Sequence, residues 1–191
     1  MADDFSYICE TKISFLFSVI MISSKLKHHF LKKKIDKLLT KASSLKFSSN
    51  KKINTVAILT QDGDSNIFQL QEMVTEKLSL RNPKIYSYRK FDKNDEKSYK
   101  HFSEKDFNWK GDIVDSSLLS FIDEPVDLLI CFYPEKQTYL EYLTLLSKAS
   151  FKIGFAGINQ DLFDLEISVE KEQFDFFLNE AHKYLTIMKK L

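Results

Sequence analysis

A chain of 191 residues with 43% hydrophobic and 29% charged side chains can fill one well-covered core, is short for two full domains, and lacks the composition of a disordered or fibrous protein. Its two cysteines, Cys9 and Cys131, exclude a disulfide framework and a thiolate metal centre, and point to a reducing, cytoplasmic setting. The net charge of +1 hides a division, because Ser24 to Lys52 holds ten Lys and one Asp and leaves 18 basic against 26 acidic residues elsewhere.

Residues 1–20 are expected to be a non-native or disordered extension, with Met21 as the true start. The apolar run Ile13 to Ile22 is too short to span a bilayer, which takes about 20 residues. Asp3, Asp4 and Glu10 outweigh Lys12, the wrong sign for the front of a signal peptide. A short helix packed on the domain is the alternative, and no transmembrane span is expected.

The spacing predicts a basic amphipathic helix over Lys25 to Thr40. Leu26, Phe30, Ile35, Leu38 and Leu39 form its stripe, and Lys27, Lys32, Lys33, Lys34 and Lys37 lie mostly away from it. Three readings stand: a helix packed on the body with wetted lysines, a membrane-surface helix on anionic lipid, or a contact to RNA or DNA phosphates. The segment has no Arg for bidentate base contacts. His28 and His29, as neighbours, cannot share a helix face to bind a metal. Residues 42–54 read as a linker, so that 21–53 form helix and linker and 54–191 an α/β domain.

Thr55 to Gln61 reads as a buried strand. Asp62-Gly63-Asp64-Ser65 turns it into a helix with the stripe Ile67, Leu70, Val74 and Leu78, capped by Asp64 or Ser65. Pro83 to Tyr88 is a second strand, Lys90 to Lys100 a solvated excursion, and His101 to Lys110 a short strand with a turn. Asp115 to Ile122 is a short helix. Pro125 to Gly157 is the organising unit. Val126 to Tyr133 is too uniformly apolar for a sheet face open to water, Thr138 and Glu141 stand at capping-box spacing, and Phe151 to Phe155 is again apolar. Strand, helix and strand in about thirty residues make one right-handed βαβ crossover. Gly154 and Gly157 are expected at turns. Leu162 to Val169 is a last strand, followed by a helix from Lys171 to Lys190 with the stripe Phe174, Phe177, Ala181, Tyr184 and Met188. The expectation is an open, mainly parallel, Rossmann-like sheet of five or six strands with helices on both faces.

Ligands of such sheets sit beyond the carboxyl ends of the strands. The candidate edge is therefore Asp62, Gly63, Asp64 and Ser65 after the first strand, Glu135 and Lys136 after the central one, and Asn159 after the next. The first turn has one Gly and two carboxylates, and so matches neither a dinucleotide fingerprint nor a P-loop. Asp62 and Asp64 share the spacing of the aspartate pair in phosphatase-like folds, but Asn66 stands where that pattern has Thr or Val. No catalytic set, cofactor or metal site is expected.

The words DFNWKG (Asp106 to Gly111), PVDLLICFY (Pro125 to Tyr133) and SKASFKIGFAG (Ser147 to Gly157) together resemble an uncharacterised family of short bacterial proteins, known only as a domain of unknown function. The resemblance covers nearly all of the chain after residue 20 and implies no activity. More distantly, Asp127 to Ile130 and Lys152 to Phe155 resemble the N-terminal half of heptosyltransferase-type glycosyltransferases. Those enzymes need a second, nucleotide-sugar-binding domain, so this resemblance implies a fold without transferase activity. The functional expectation is a non-enzymatic domain whose basic helix docks on an acidic protein, RNA or an anionic membrane surface. The alternative is a small-molecule or phosphate-ligand enzyme using the strand-end edge.

Overall fold

The computed structural model of the chain describes residues 25–41, 51–62, 67–93, 100–169 and 174–191. The expected extension at 1–20, most of the linker, the Asp64 or Ser65 cap, most of the Lys90 to Lys100 excursion and the start of the last helix at Lys171 lie outside them. A first helix, α1, spans residues 25–41. After it come β1 (Val56–Gln61), α2 (Ile67–Leu78), β2 (Lys84–Tyr88), β3 (His101–Phe102) and a 3-10 turn at Glu104–Asp106. The rest is α3 (Ser116–Asp123), β4 (Leu128–Phe132), α4 (Thr138–Leu146), β5 (Phe151–Phe155), β6 (Leu165–Ile167) and α5 (Phe174–Ile187).

The six strands form one sheet in the order β3-β2-β1-β4-β5-β6, and every pairing is parallel. Two central strands explain the uniform apolar runs. All five residues of β4 are buried, as are the first five of β1, because helices cover both faces. The chain order reverses between β1 and β4, so right-handed crossovers leaving these strands in opposite directions place their helices on opposite faces. α2 and α5 share one face, tied by Lys77, which donates to Asn179 Oδ1 and pairs with Asp175, both at 2.6 Å. Beneath them the rings of Phe132, Phe155, Phe174 and Phe177 pack tilted or edge-to-face, with centroids 4.5 to 5.7 Å apart. α3 and α4 occupy the other face, where Lys148 N–H donates to Ile122 O at 3.1 Å.

Three local expectations are corrected. Thr138 does not cap α4. Gln137 does, its side-chain oxygen accepting from the amides of Tyr139 (2.6 Å) and Leu140 (3.2 Å), and Thr138 is the first helical residue. Gly154 is no turn but a β5 residue on which Phe163 lies, and a Cβ there would sit 2.3 Å from the ring. Gly157, at φ +85°, does make a turn. In α5 the inward stripe is Phe174, Phe177, Leu178, Ala181 and Leu185, whereas Tyr184 and Met188 are exposed. At 100° per residue Tyr184 lies about 80° from the centre of that stripe, and Met188 follows the end of the helix at Ile187. Lys190 folds back as well, its carbonyl accepting from Ile53 N–H at 2.8 Å and its ammonium lying over Phe151.

At the amino-terminal edge of the sheet, Asp127 ties the incoming chain to β4. Its carboxylate accepts from Lys51 Nζ (2.8 Å), Asn54 N–H (3.0 Å), Thr55 N–H (3.1 Å) and Thr55 Oγ1 (3.0 Å), while its own amide donates to Thr55 Oγ1. Burial pushes this carboxyl up, but the four donors outweigh it and hold it down at about 2. A carboxyl depressed on folding gives stability that is present above its unfolded value near 3.8 and is lost as pH falls through about 2. Acid unfolding of the wild type should therefore steepen across this window. Asp127→Asn should flatten that limb and lower stability at neutral pH by about 1–3 kcal/mol, because donors lose a charged acceptor. Urea unfolding of both proteins from pH 7 to pH 2 tests this; parallel pH profiles would refute it.

Candidate functional site

Two surfaces carry the residues that the sequence singles out. The first is α1. Its angular order turns Leu31, Ile35 and Leu38 toward the body, with Leu31 wholly buried and Ile35 nearly so. The receiving surface is the irregular segment after β3. Ser103 and Asp106 close a capping box around its 3-10 turn. Asn108 Oδ1 then accepts from the amides of Lys110 (2.8 Å) and Asp112 (3.0 Å), and Phe107 bridges Ile113. The resulting tight turn puts Gly111 at φ +76°, directly under Leu31, where an added Cβ would lie 2.9 Å from the leucine methyl. The same turn lifts Trp109 outward, 56% exposed, with its ring edge-on to Phe30 at 5.7 Å.

Two of the five expected partner lysines are used by this docking. Lys27 Nζ donates to the carbonyl oxygens of Glu104 and Phe107, each at 2.7 Å. Burial draws its pKa down, opposed by the carboxylates of Glu104 and Asp106. Lys34 pairs with Asp112, whose pKa is lowered by the hydrogen bonds from Lys34 and Asn108. Lys34 also lies over the ring of Tyr142 on α4. The other three, Lys32, Lys33 and Lys37, are exposed, and Lys25 joins them on the outer side.

The second surface is the carboxyl edge of the sheet. Gly63, Asp64 and Ser65 lie outside the described residues. Asp62, just past β1, accepts from Arg89 Nε at 2.6 Å and has His101 Nδ1 at 3.9 Å. His101 also meets Ser87 Oγ through Nδ1 and lies 3.4 Å from the Arg89 guanidinium through Nε2. Ser87, Arg89 and His101 were not singled out by the sequence. Arg89 sits just past β2 and His101 opens β3, so the signal was their place at strand ends, hidden because β3 has only two residues. Ser87 is fully buried within β2, so its hydroxyl fixes His101 and is not an accessible nucleophile. Glu135 and Lys136 are exposed after β4. Asn159 builds its own turn after β5, its Oδ1 accepting from Asp161 N–H at 3.2 Å. Cys131 lies within β4 beside Thr144 and Tyr133, and burial pushes its thiol up to about 12, which leaves it unreactive at neutral pH.

The docking of α1 turns on Leu31. Leu31→Ala should cost about 2–5 kcal/mol in stability. It should also raise amide hydrogen exchange in α1 selectively, with β1 and β4 staying protected. Exchange in α1 that matches the wild type would show that the leucine does not hold the helix.

Among the described residues, no helix is long and apolar enough to cross a membrane. No curated protein and no solved structure matches the chain. One family model does, over residues 27–188, a span that runs from α1 to the end of α5. The chain belongs to that family, a family of unknown function (DUF6913).

Proposed function

We propose that this protein is a non-enzymatic interaction domain that presents the outer face of α1 to an acidic partner. The observation that carries the reading is the division of α1 into two sides. The body covers Leu31 and Ile35 and leaves Leu26 exposed, whereas Lys25, Lys32, Lys33 and Lys37 face solvent along about three turns. Insertion of this helix into a bilayer would require pulling Leu31 and Ile35 out of the core. A charge contact made with the helix in place needs no such rearrangement. That favours a polyanionic surface met by the lysines over an inserted amphipathic helix.

The test is capture at low salt from an extract of the source cells, comparing the wild type with a variant carrying Gln at Lys25, Lys32, Lys33 and Lys37. A partner that the wild type retains and the variant loses, with equal melting temperatures, is the expected result. Equal retention by both proteins would overturn the reading.

A second reading rests on the cluster at the carboxyl edge. Asp62 and Arg89, just past β1 and β2, converge with His101, which opens β3, and open parallel sheets hold their ligands beyond the carboxyl edge. An enzyme or binder for a small phosphate-bearing molecule would use this cluster. Nucleotides, sugar phosphates and divalent ions, screened by thermal shift, should then include one that raises the melting temperature by several degrees, an effect lost in Asp62→Asn. A panel without any shift would remove this reading.

A further inference from the structure

We infer that the acidic partner of α1 is a single-stranded nucleic acid, with Trp109 as the platform on which a base stacks. The inference rests on the interaction reading above and adds the chemistry of the partner. Its starting point is Trp109, the sole tryptophan of the chain, which stands 56% exposed at the tip of a turn built by Asn108. An indole raised into water on a hydrogen-bonded turn is not filling a core. Its edge contact to Phe30 fixes its place beside α1 and adds a second, half-buried ring.

The cations around it lie on the same side. Lys33 and Lys37 follow Phe30 by three and seven residues, one and two turns farther along the helix flank that faces Trp109. Their positions are about 6 Å apart along the axis. Lys110 is the next residue after the indole, and its ammonium lies 5.0 Å from the ring centroid. The nearest carboxylate on the turn, that of Asp112, is already paired with Lys34. Asp36, the one acidic residue of α1, is exposed on the helix. A flat aromatic surface beside a row of lysines suits a strand whose bases are unstacked and whose phosphates run alongside them. A duplex keeps its bases in the stack and offers the indole nothing. Lysine without arginine fits phosphate neutralisation rather than base-edge reading, so the binding should be nearly independent of sequence. An acidic peptide would satisfy the lysines and leave the indole in water.

The sole tryptophan makes the test direct. The full chain is titrated with 12-residue oligouridine and oligothymidine, followed by tryptophan fluorescence and by anisotropy of labelled oligomers. Quenching on binding is expected, with log Kd against log salt having a magnitude of slope of about 2 for three lysine contacts on a single strand. Trp109→Ala should weaken binding by about tenfold or more, the range of one lost base stack, and Trp109→Phe should recover most of the affinity. Gln at Lys33, Lys37 and Lys110 should weaken binding and flatten the salt dependence. Comparable binding of both oligomers assigns a general single-strand surface, and a strong preference for oligouridine assigns RNA. Binding that Trp109→Ala leaves unchanged would overturn the inference. Failure of both oligomers while polyglutamate or phosphatidylserine vesicles bind through the lysines would also overturn it, yet leave the interaction reading standing. Failure of every polyanion would remove both.

Discussion

The structure depends on covering a parallel sheet on both faces. β1 and β4 are apolar on both sides, so neither face can meet water, and each needs a complete layer above it. On one side α2 and α5 suffice. On the other, α3 and α4 are short, eight and nine residues, and the strip over β2 and β3 is filled by irregular chain. Phe107 of that chain packs on Phe102 of β3 and Tyr139 of α4, and Tyr88 of β2 joins them, with ring centroids 4.9 to 6.2 Å apart. α1 closes it from outside through Leu31 and Ile35. The basic helix is thus part of the cover as well as a surface.

This double duty explains why α1 carries so many lysines of two kinds. The segment after β3 presents backbone carbonyls to the helix, those of Glu104 and Phe107, and the Lys27 ammonium satisfies both at once. Lys34 does the same for a carboxylate. These contacts are exposed or half-buried, and their net worth is small beside the burial of Leu31. Their role is to fix the rotation of the helix, which decides the side chains that remain outside. With Lys27 and Lys34 turned in, Lys32, Lys33 and Lys37 are turned out.

The fold was legible in the sequence because its strongest signals were long. The run from Leu128 to Phe132 needed burial on both faces, and its helix and following strand closed a βαβ unit within the expected limits. What failed were features settled by single side chains. Nothing in the spacing of Thr138 and Glu141 says that Gln137, one residue earlier, will turn its amide oxygen onto the helix start. Gly154 read as a turn because close approach of Phe163, nine residues away in an irregular stretch, has no sequence pattern. The polar cluster at the carboxyl edge stayed hidden for a related reason. Its members come from three strands, and only the strand order brings Asp62, Arg89 and His101 together.

The same limit applies to α1, where the sequence separates lysines from apolar residues but not lysines that bind the body from lysines that do not. That separation matters for any partner. The remainder of the chain is acidic, so the body itself competes for the helix, and a second polyanion cannot gain from cations already held by Asp112 or by backbone carbonyls. Its affinity has to come from Lys25, Lys32, Lys33 and Lys37, along with whatever stands beside them. Four solvated lysines attract any polyanion weakly and steeply with salt. Discrimination among polyanions then falls to the neighbouring groups that are not point charges, above all the exposed indole of Trp109. The turn that receives Leu31 at Gly111 is the turn that raises Trp109, so docking of the helix and presentation of the ring are set by the same few residues.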